Sequence, residues 1–300
     1  IPPEGVIGIA DTPLPDGRIA RAPRPELLGY GPLDAASGLS LRVAPDLHGR
    51  GALAQVPDAA LHAIAAEQAG GKEGVSGRAR QIRLADGTTA IGRFGWKASQ
   101  PDLARQSAEA FFLDIGLSNP FHPEPWGDCS AAQTACRDAP HGAAARAAGA
   151  AESAPEIGAP LLDRVVAFVA ALPEPAPGPL PPDEWREGQR LFAATGCATC
   201  HRPALPTTGG GTARMFTDLL LHDMGAGLAD TMPEPGAAAS EWRTAPLAGV
   251  SDAIARKTGL LHDGRARTIG EAIAWHDGEA ASARRRFDAL TGPQKAALVR

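Results

Sequence analysis

Hydrophobic positions along the chain fall into short helical periods separated by long stretches of turn residues. Residues 1–55 are rich in Pro and Gly with no sustained period, which predicts loops with short helices. A helical spacing begins at Pro57-Asp58-Ala59-Ala60-Leu61, where Asp58 is placed to cap and Leu61, Ile64 and Ala65 share a face. Ile82-Arg83-Leu84, Asp86-Gly87 and Thr89-Ala90-Ile91 predict a small hairpin around a tight Asp-Gly turn. Residues 101–112 read as a helix with Leu103, Ala104, Ser107, Ala110 and Phe111 on one side. Residues 138–160, Ala/Gly-rich and polar, predict a surface loop. In residues 161–172 the apolar positions cover more than half of the circumference, so a well-buried helix is expected.

Residues 173–179 alternate Pro with other residues and cannot continue that helix. They predict a stiff extended linker and a domain boundary dividing 1–178 from 179–300. Beyond it, Asp183 is placed as an N-cap behind Pro181-Pro182, and Trp185, Gly188, Leu191 and Phe192 form a helical stripe. The two parts share a weak repeat. Arg93-Phe94-Gly95-Trp96-Lys97-Ala98 matches Leu260-Leu261-His262-Asp263-Gly264-Arg265, and Trp96 to Leu103 has the same spacing as His262 to Ile269. Each copy should lead into a helix. The helix over 161–172 would end the first copy, and the one starting at Gly292-Pro293-Gln294-Lys295 the second. The chain starts Ile1-Pro2-Pro3 and stops at Leu298-Val299-Arg300 within a helical pattern. It is read as a fragment, so the lack of a signal peptide carries no information on compartment.

Composition changes the picture in two ways. Aromatic residues make up only 5% against 44% hydrophobic, with 35 Gly and 28 Pro, so a large apolar cofactor would fit the shortage of aromatic core. The net charge of −5, from 29 basic and 34 acidic residues, argues against nucleic acid as a partner. The one basic run, Arg284-Arg285-Arg286, reads as a solvated helix face. No stretch approaches the roughly 18 apolar residues that span a bilayer, and membrane association is left open.

The chemistry lies at Cys197-Ala198-Thr199-Cys200-His201. On one helical turn both thiols and the imidazole point to one side. The thiols can form thioethers with the two vinyl groups of a haem, and the histidine places a nitrogen under the iron, the signature of c-type haem attachment. A zinc site would need further ligands such as Cys129 and Cys136, whose spacing is unlike a zinc knuckle. A thioredoxin-like pair would follow a strand, whereas a helix precedes this motif. For the other face of the iron, Met224 and His276 are the leading candidates, with His222 and His262 behind them; Met would raise the potential and bis-His ligation lower it. Haem attachment matures outside the cytoplasm, where disulfides persist, so Cys129 and Cys136 are expected to pair, against the alternative of two buried free thiols.

Five further segments carry a resemblance. They are Gly92-Arg93-Phe94-Gly95-Trp96-Lys97-Ala98, Cys129-Ser130-Ala131-Ala132-Gln133-Thr134-Ala135-Cys136, Asp218-Leu219-Leu220-Leu221-His222-Asp223-Met224-Gly225, Glu241-Trp242-Arg243-Thr244-Ala245-Pro246-Leu247 and Leu261-His262-Asp263-Gly264-Arg265-Ala266-Arg267-Thr268. In this order the chain resembles the di-haem oxidoreductases, also labelled thiol oxidoreductases, within the wider group of bacterial di-haem cytochrome c peroxidases and MauG. The resemblance implies a mainly α protein of two cytochrome c-like domains with long ordered loops and at most a small β-hairpin. Each domain would carry one haem c, with the first motif lying before Ile1. It also implies a periplasmic or exported setting, a small cytochrome or cupredoxin as redox partner, and calcium as a further candidate cofactor.

In the peroxidases the second haem's distal ligand follows the His of a His-Asp/Ser-Gly motif by fourteen residues; counted from His262 this is His276, which the resemblance places above Met224. Arg243 and Arg265 become candidates for the haem propionates. Trp96 and Gln106 match an inter-haem Trp and a distal-pocket Gln, so Trp96 is expected as relay and Gln106 at the first haem. The chain departs from the pattern at the peroxidases' catalytic Glu, where Asn119-Pro120-Phe121-His122 brings His122 near that place, with Asp114 and Glu124 as acidic stand-ins. The implied function is a di-haem oxidoreductase with peroxidase-like chemistry at the first haem. The alternative is an electron-transfer multihaem cytochrome c without a substrate site.

Overall fold

The computed structural model describes residues 6–13, 19–26, 38–71, 73–127, 129, 131, 134–142 and 155–300. Most of the expected surface loop at 138–160 lies outside them. The described residues form short helices and four separate two-stranded antiparallel ladders, joined by long ordered loops. The ladders are β1 (Val6–Pro13) with β2 (Ile19–Glu26), β3 (Gln81–Arg83) with β4 (Thr89–Ile91), β5 (Leu205–Pro206) with β6 (Thr212–Ala213), and β7 (Leu221–Asp223) with β8 (Glu241–Arg243). Only the β3–β4 hairpin was anticipated. Gly87 takes a φ of 83°, and the Asp86 carboxylate accepts bonds from the backbone and hydroxyl of Thr88. The β1–β2 ladder replaces the loops expected at the start of the chain. A Pro-rich sequence conceals it, because the prolines interrupt the alternation that betrays a strand. The fold is therefore helical with some sheet.

The helices stand near their expected places, with different caps. Helix Asp58–Ala69 has Pro57 at its N-cap; Asp58 is its first residue and pairs with Arg93 instead of capping. Helix Pro182–Ala194 is capped by Pro181, with Pro182 in the first turn and Asp183 paired to Arg186. Where Pro sets the helical φ at the start, no side-chain cap is required. The helix Ala159–Ala171 is not enclosed as expected. Leu162 and Val169 are buried, but Leu161 and Phe168 are 46% and 62% exposed. It packs by one stripe against the helices Arg50–Ala54 and Leu103–Leu113. Arg284 and Arg286 are not a solvated face either: Arg286 pairs with Glu73 and donates to Thr195 O, and Arg284 lies 3.4 Å from Asp277.

One apolar core draws on both sides of residues 173–179. Leu53, Val56, Leu61, Phe94, Leu103 and Val169 pack with Leu205, Met215, Leu219 and Leu220. The Pro-rich segment is extended, as expected, and seated: Glu174 accepts from Arg214 N at 2.9 Å. Among the described residues no helix is long and apolar enough to cross a membrane.

The weak repeat becomes clear in the backbone. Phe94 bridges Gln100 and Leu260 bridges Ala266, closing two loops of equal length. Gly95 and Leu261, one residue on, both have positive φ (75° and 70°), as do Ala98 and Gly264 at the fifth position (51° and 73°). Each loop leads to a side-chain cap, Asp102 or Thr268, and then to a helix starting at Leu103 or Ile269. Trp96 and His262 hold the same place in the two loops, and their rings meet edge to face at 6.4 Å.

Candidate functional site

Helix Pro182–Ala194 delivers the Cys197–His201 motif. Gly196 breaks the helix with a φ of 84°, and Cys197–Thr199 winds as a single 3-10 turn. Thr195 Oγ lies 3.3 Å from Cys197 Sγ, and Cys200 Sγ is 3.8 Å from His222 Nδ1. The motif therefore sits in a fixed, half-buried position, with both thiols free of disulfide bonding.

His201 and His276 come together. Their ring centres are 6.4 Å apart with the planes inclined at 43°. His201 Nδ1 lies 3.1 Å from Phe216 O, and His276 Nδ1 lies 2.8 Å from Ala272 O. A carbonyl only accepts, so each Nδ1 carries the proton, and Nε2 of each ring keeps its lone pair. Burial lowers the pKa of His201 to about 4, with His276 beside it adding to the effect, and burial also lowers that of His276. Both rings are neutral at physiological pH, the state in which imidazole binds a metal.

The other candidates are placed differently. His222 is buried between two carboxylates, with Nε2 2.9 Å from Asp218 and Nδ1 2.8 Å from Glu279. Burial opposes its protonation, but the bonds to Asp218, Cys200 and Glu279 outweigh it and push its pKa up to about 12. Both ring nitrogens thus face carboxylates, in contrast to His201 and His276. Cys200, Asp218 and His222 lie within 4.8 Å of one another, yet the zinc reading has no support from Cys129 and Cys136, which form a disulfide with each other. His262 stacks on Trp242 with ring centres 3.7 Å apart, and burial lowers its pKa to about 4. Met224 packs with Trp96 and Leu261 against an apolar cluster of Leu228, Trp242, Ala274 and Trp275.

Trp96 thus touches the cluster containing Trp275, the residue before His276, and its Nε1 donates to Val43 O at 2.8 Å. Gln106 lies on the helix Leu103–Leu113, with its buried amide oxygen near Gly95 and without a hydrogen-bond partner among the described residues. His122 Nε2 is 3.0 Å from Glu109, one turn along that helix. Arg265 is paired with Asp263 at 2.6 Å, donates to Gly227 O and lies over Trp275. Arg243 is buried and donates only to carbonyls, those of Gly95 and Thr244. Burial, then the nearby charge of Arg50, lowers its pKa to about 9. Asp218, Glu279, Arg50 and Trp242 were not foreseen as site residues. The Asp218-to-His222 spacing was visible in the sequence, but nothing there signals Glu279, which arrives from 57 residues away.

The sequence profile of the family described as "Di-haem oxidoreductase, putative peroxidase" matches residues 33–300. The chain belongs to this di-haem oxidoreductase family. No curated protein and no solved structure matches it. Haem is the cofactor that the family implies, and the residues of this di-haem oxidoreductase can be tested against it. Imidazole–metal bonds run to about 2 Å, and each ring centre lies about 1.1 Å behind its nitrogen, so an iron shared by two imidazoles needs ring centres about 6.2 Å apart. The observed 6.4 Å fits, as does the donor set of two thiols and two neutral imidazoles.

Proposed function

We propose that the chain is the redox body of a c-type di-haem oxidoreductase, in which Cys197 and Cys200 would hold one haem covalently and His201 and His276 would bind its iron. The observation that carries this reading is the His201–His276 pair, each ring turned by a backbone carbonyl so that Nε2 is left as donor. The bound haem supplies one-electron chemistry, and two nitrogen ligands favour a low potential. Residues 179–300 form the cytochrome c-like domain of this haem, and residues 1–178 belong to the domain of a second. Trp275, Trp242 and Trp96 give an aromatic path from His276 towards the first half.

Comparing the two loop–helix units supports peroxidase-like chemistry in the first half. His276 stands eight residues beyond the cap Thr268; eight beyond Asp102 stands Ala110, which cannot ligate iron. The helix Leu103–Leu113 would therefore offer no imidazole at that position to a haem of the first half. Gln106 and Glu109 lie on this helix and His122 on the turn that pairs with Glu109, groups able to orient peroxide and move protons. Peroxide reduction takes two electrons and two protons to give two waters. The electrons come from a small cytochrome or cupredoxin in the periplasm or another exported setting.

The full-length holoprotein tests this. Haem should survive a denaturing gel, EPR should show one low-spin and one high-spin centre, and reduced small cytochrome should be consumed on adding peroxide. Haem lost on denaturation overturns covalent attachment. Two low-spin haems inert to peroxide would make the protein an electron-transfer cytochrome.

A further inference from the structure

Lys97 is fully buried. Its Nζ donates to Ala238 O at 2.9 Å and to Ala239 O at 2.8 Å, and it meets Asp230 at 3.1 Å. Two carbonyls and a carboxylate only accept, so this nitrogen carries three protons and is an ammonium, although burial lowers its pKa. It stands 4.2 Å from the ring centre of Trp242. His262 stacks on the same indole, so the ring is held between an ammonium and an imidazole that burial keeps neutral. The surrounding charges do not cancel the cation. Arg42 reaches Asp230 and Glu234 and lies 5.7 Å from the Trp242 ring centre, and Arg80 pairs with Glu234. Three cations thus share two carboxylates. Of the chain neighbours of Trp242, Glu241 is taken by Arg78, and Arg243 is a cation on which Asp218 acts. Asp263, beside His262, is taken by Arg265.

The tryptophans of the aromatic path differ in this respect. Trp275 also has a cation over its ring, Arg265 at 4.3 Å. Trp96 has none among the described residues, and its ring meets the neutral His262 edge to face. Trp96 Nε1 donates to Val43 O and Trp242 Nε1 to Leu228 O. A backbone carbonyl takes no proton from an indole, so either ring keeps a positive charge when it loses an electron. At Trp242 that charge would face the Lys97 ammonium at 4.2 Å, where like charges repel strongly. The ammonium that stabilises the neutral ring therefore opposes the oxidised one.

We propose that Lys97 bars Trp242 from holding oxidising charge, so that an electron vacancy on the aromatic path rests on Trp96. The inference rests on the path and the peroxide chemistry proposed above and names the ring that holds the charge. Hydrogen peroxide takes two electrons and two protons to give two waters. A ring that supplies one of these electrons is left a radical cation until the small cytochrome returns it. Trp242 then serves as packing in the path and not as a station on it, and Lys97 acts through the ring it covers.

The test is freeze-quench EPR of full-length holoprotein mixed with hydrogen peroxide in the absence of the electron donor, after covalent haem has been verified by haem stain. Indole-deuterated tryptophan identifies a radical as tryptophan. The wild type should give such a radical, and Trp96→Phe should lower its yield about tenfold or more. Lys97→Met in the Trp96→Phe background should restore the radical, now on Trp242. Lys97→Arg in that background keeps the charge and should not restore it. A yield that survives Trp96→Phe, or one that Lys97→Met fails to restore, overturns the assignment. A loosened fold would restore the radical with Lys97→Arg as well, and that result overturns the charge argument. If Lys97→Met does not fold, Lys97→Gln carries the same expectation, and the effect of Trp96→Phe stands as an independent check. Covalent haem with no tryptophan radical in the wild type defeats the aromatic path itself and the assignment with it, an outcome distinct from failure at Lys97 alone.

Discussion

Replacing His276 by alanine separates ligation from packing, because the structure makes its two effects unequal. The side chain has one hydrogen bond, to Ala272 O. Its loss costs about 1 kcal/mol, against a total stability of about 5–15 kcal/mol for a folded domain. The truncated ring adds about 1–2 kcal/mol of lost burial, so the variant should fold and retain covalent haem. The electronic effect is all-or-none. With the partner ring at 6.4 Å removed, the haem should pass from low to high spin. EPR and the Soret region report this directly, and added imidazole should restore the low-spin form. Met224→Ala, which trims an apolar cluster, should leave the spectrum unchanged. A low-spin His276→Ala without added imidazole, or a high-spin Met224→Ala, would refute the assignment.

His262 supplies a pH dependence. Its folded pKa of about 4 lies below the ordinary 6.5 because burial opposes the charge. Its contribution to stability is therefore complete above pH 6.5 and lost as the pH falls towards 4. Thermal melts of His262→Phe, which keeps a ring on Trp242, should show a shallower loss across that window; an unchanged slope refutes the idea. His222→Gln leaves Asp218 and Glu279 without their cation and should destabilise by about 3 kcal/mol in urea titrations; a loss under about 1 kcal/mol would mean that the triad is not a buried ion pair. Gln106→Leu removes a buried oxygen with no hydrogen-bond partner among the described residues. It should leave the melting temperature unchanged or higher while slowing peroxide turnover about tenfold or more, and equal turnover would remove Gln106 from the reaction.

The helices around Cys197–His201 and the approach of His276 to His201 were legible because their signals are local or set by a fixed spacing. Cysteine spacing, helical period and the Asp-Gly turn act over a few residues, and the loops at Trp96 and His262 were aligned from spacing alone. The chain was less legible where distant groups settle the outcome. The pairing of His222 was hidden because its second carboxylate, Glu279, lies far along the chain. Arg265 and Arg243 looked alike until Asp263 was seen against the first. The helix Ala159–Ala171 has an apolar composition on more faces than it buries, so periodicity overstated its enclosure. The caps were misread because Pro starts a helix without a side-chain bond, leaving Asp58 and Asp183 for other partners.

The paired loops have one more consequence, for the history of the molecule. Each loop is fastened by the opposite half: Val43 N donates to His262 O, and Arg243 N donates to Trp96 O. If two copies of an ancestral unit gave rise to the chain, their exchange of backbone bonds acts as a ratchet. Once each copy depends on the other for closure, neither can be lost or expressed alone without fraying its own loop. Side chains were then free to diverge on a backbone that was not, leaving an imidazole in one copy where the other has an alanine.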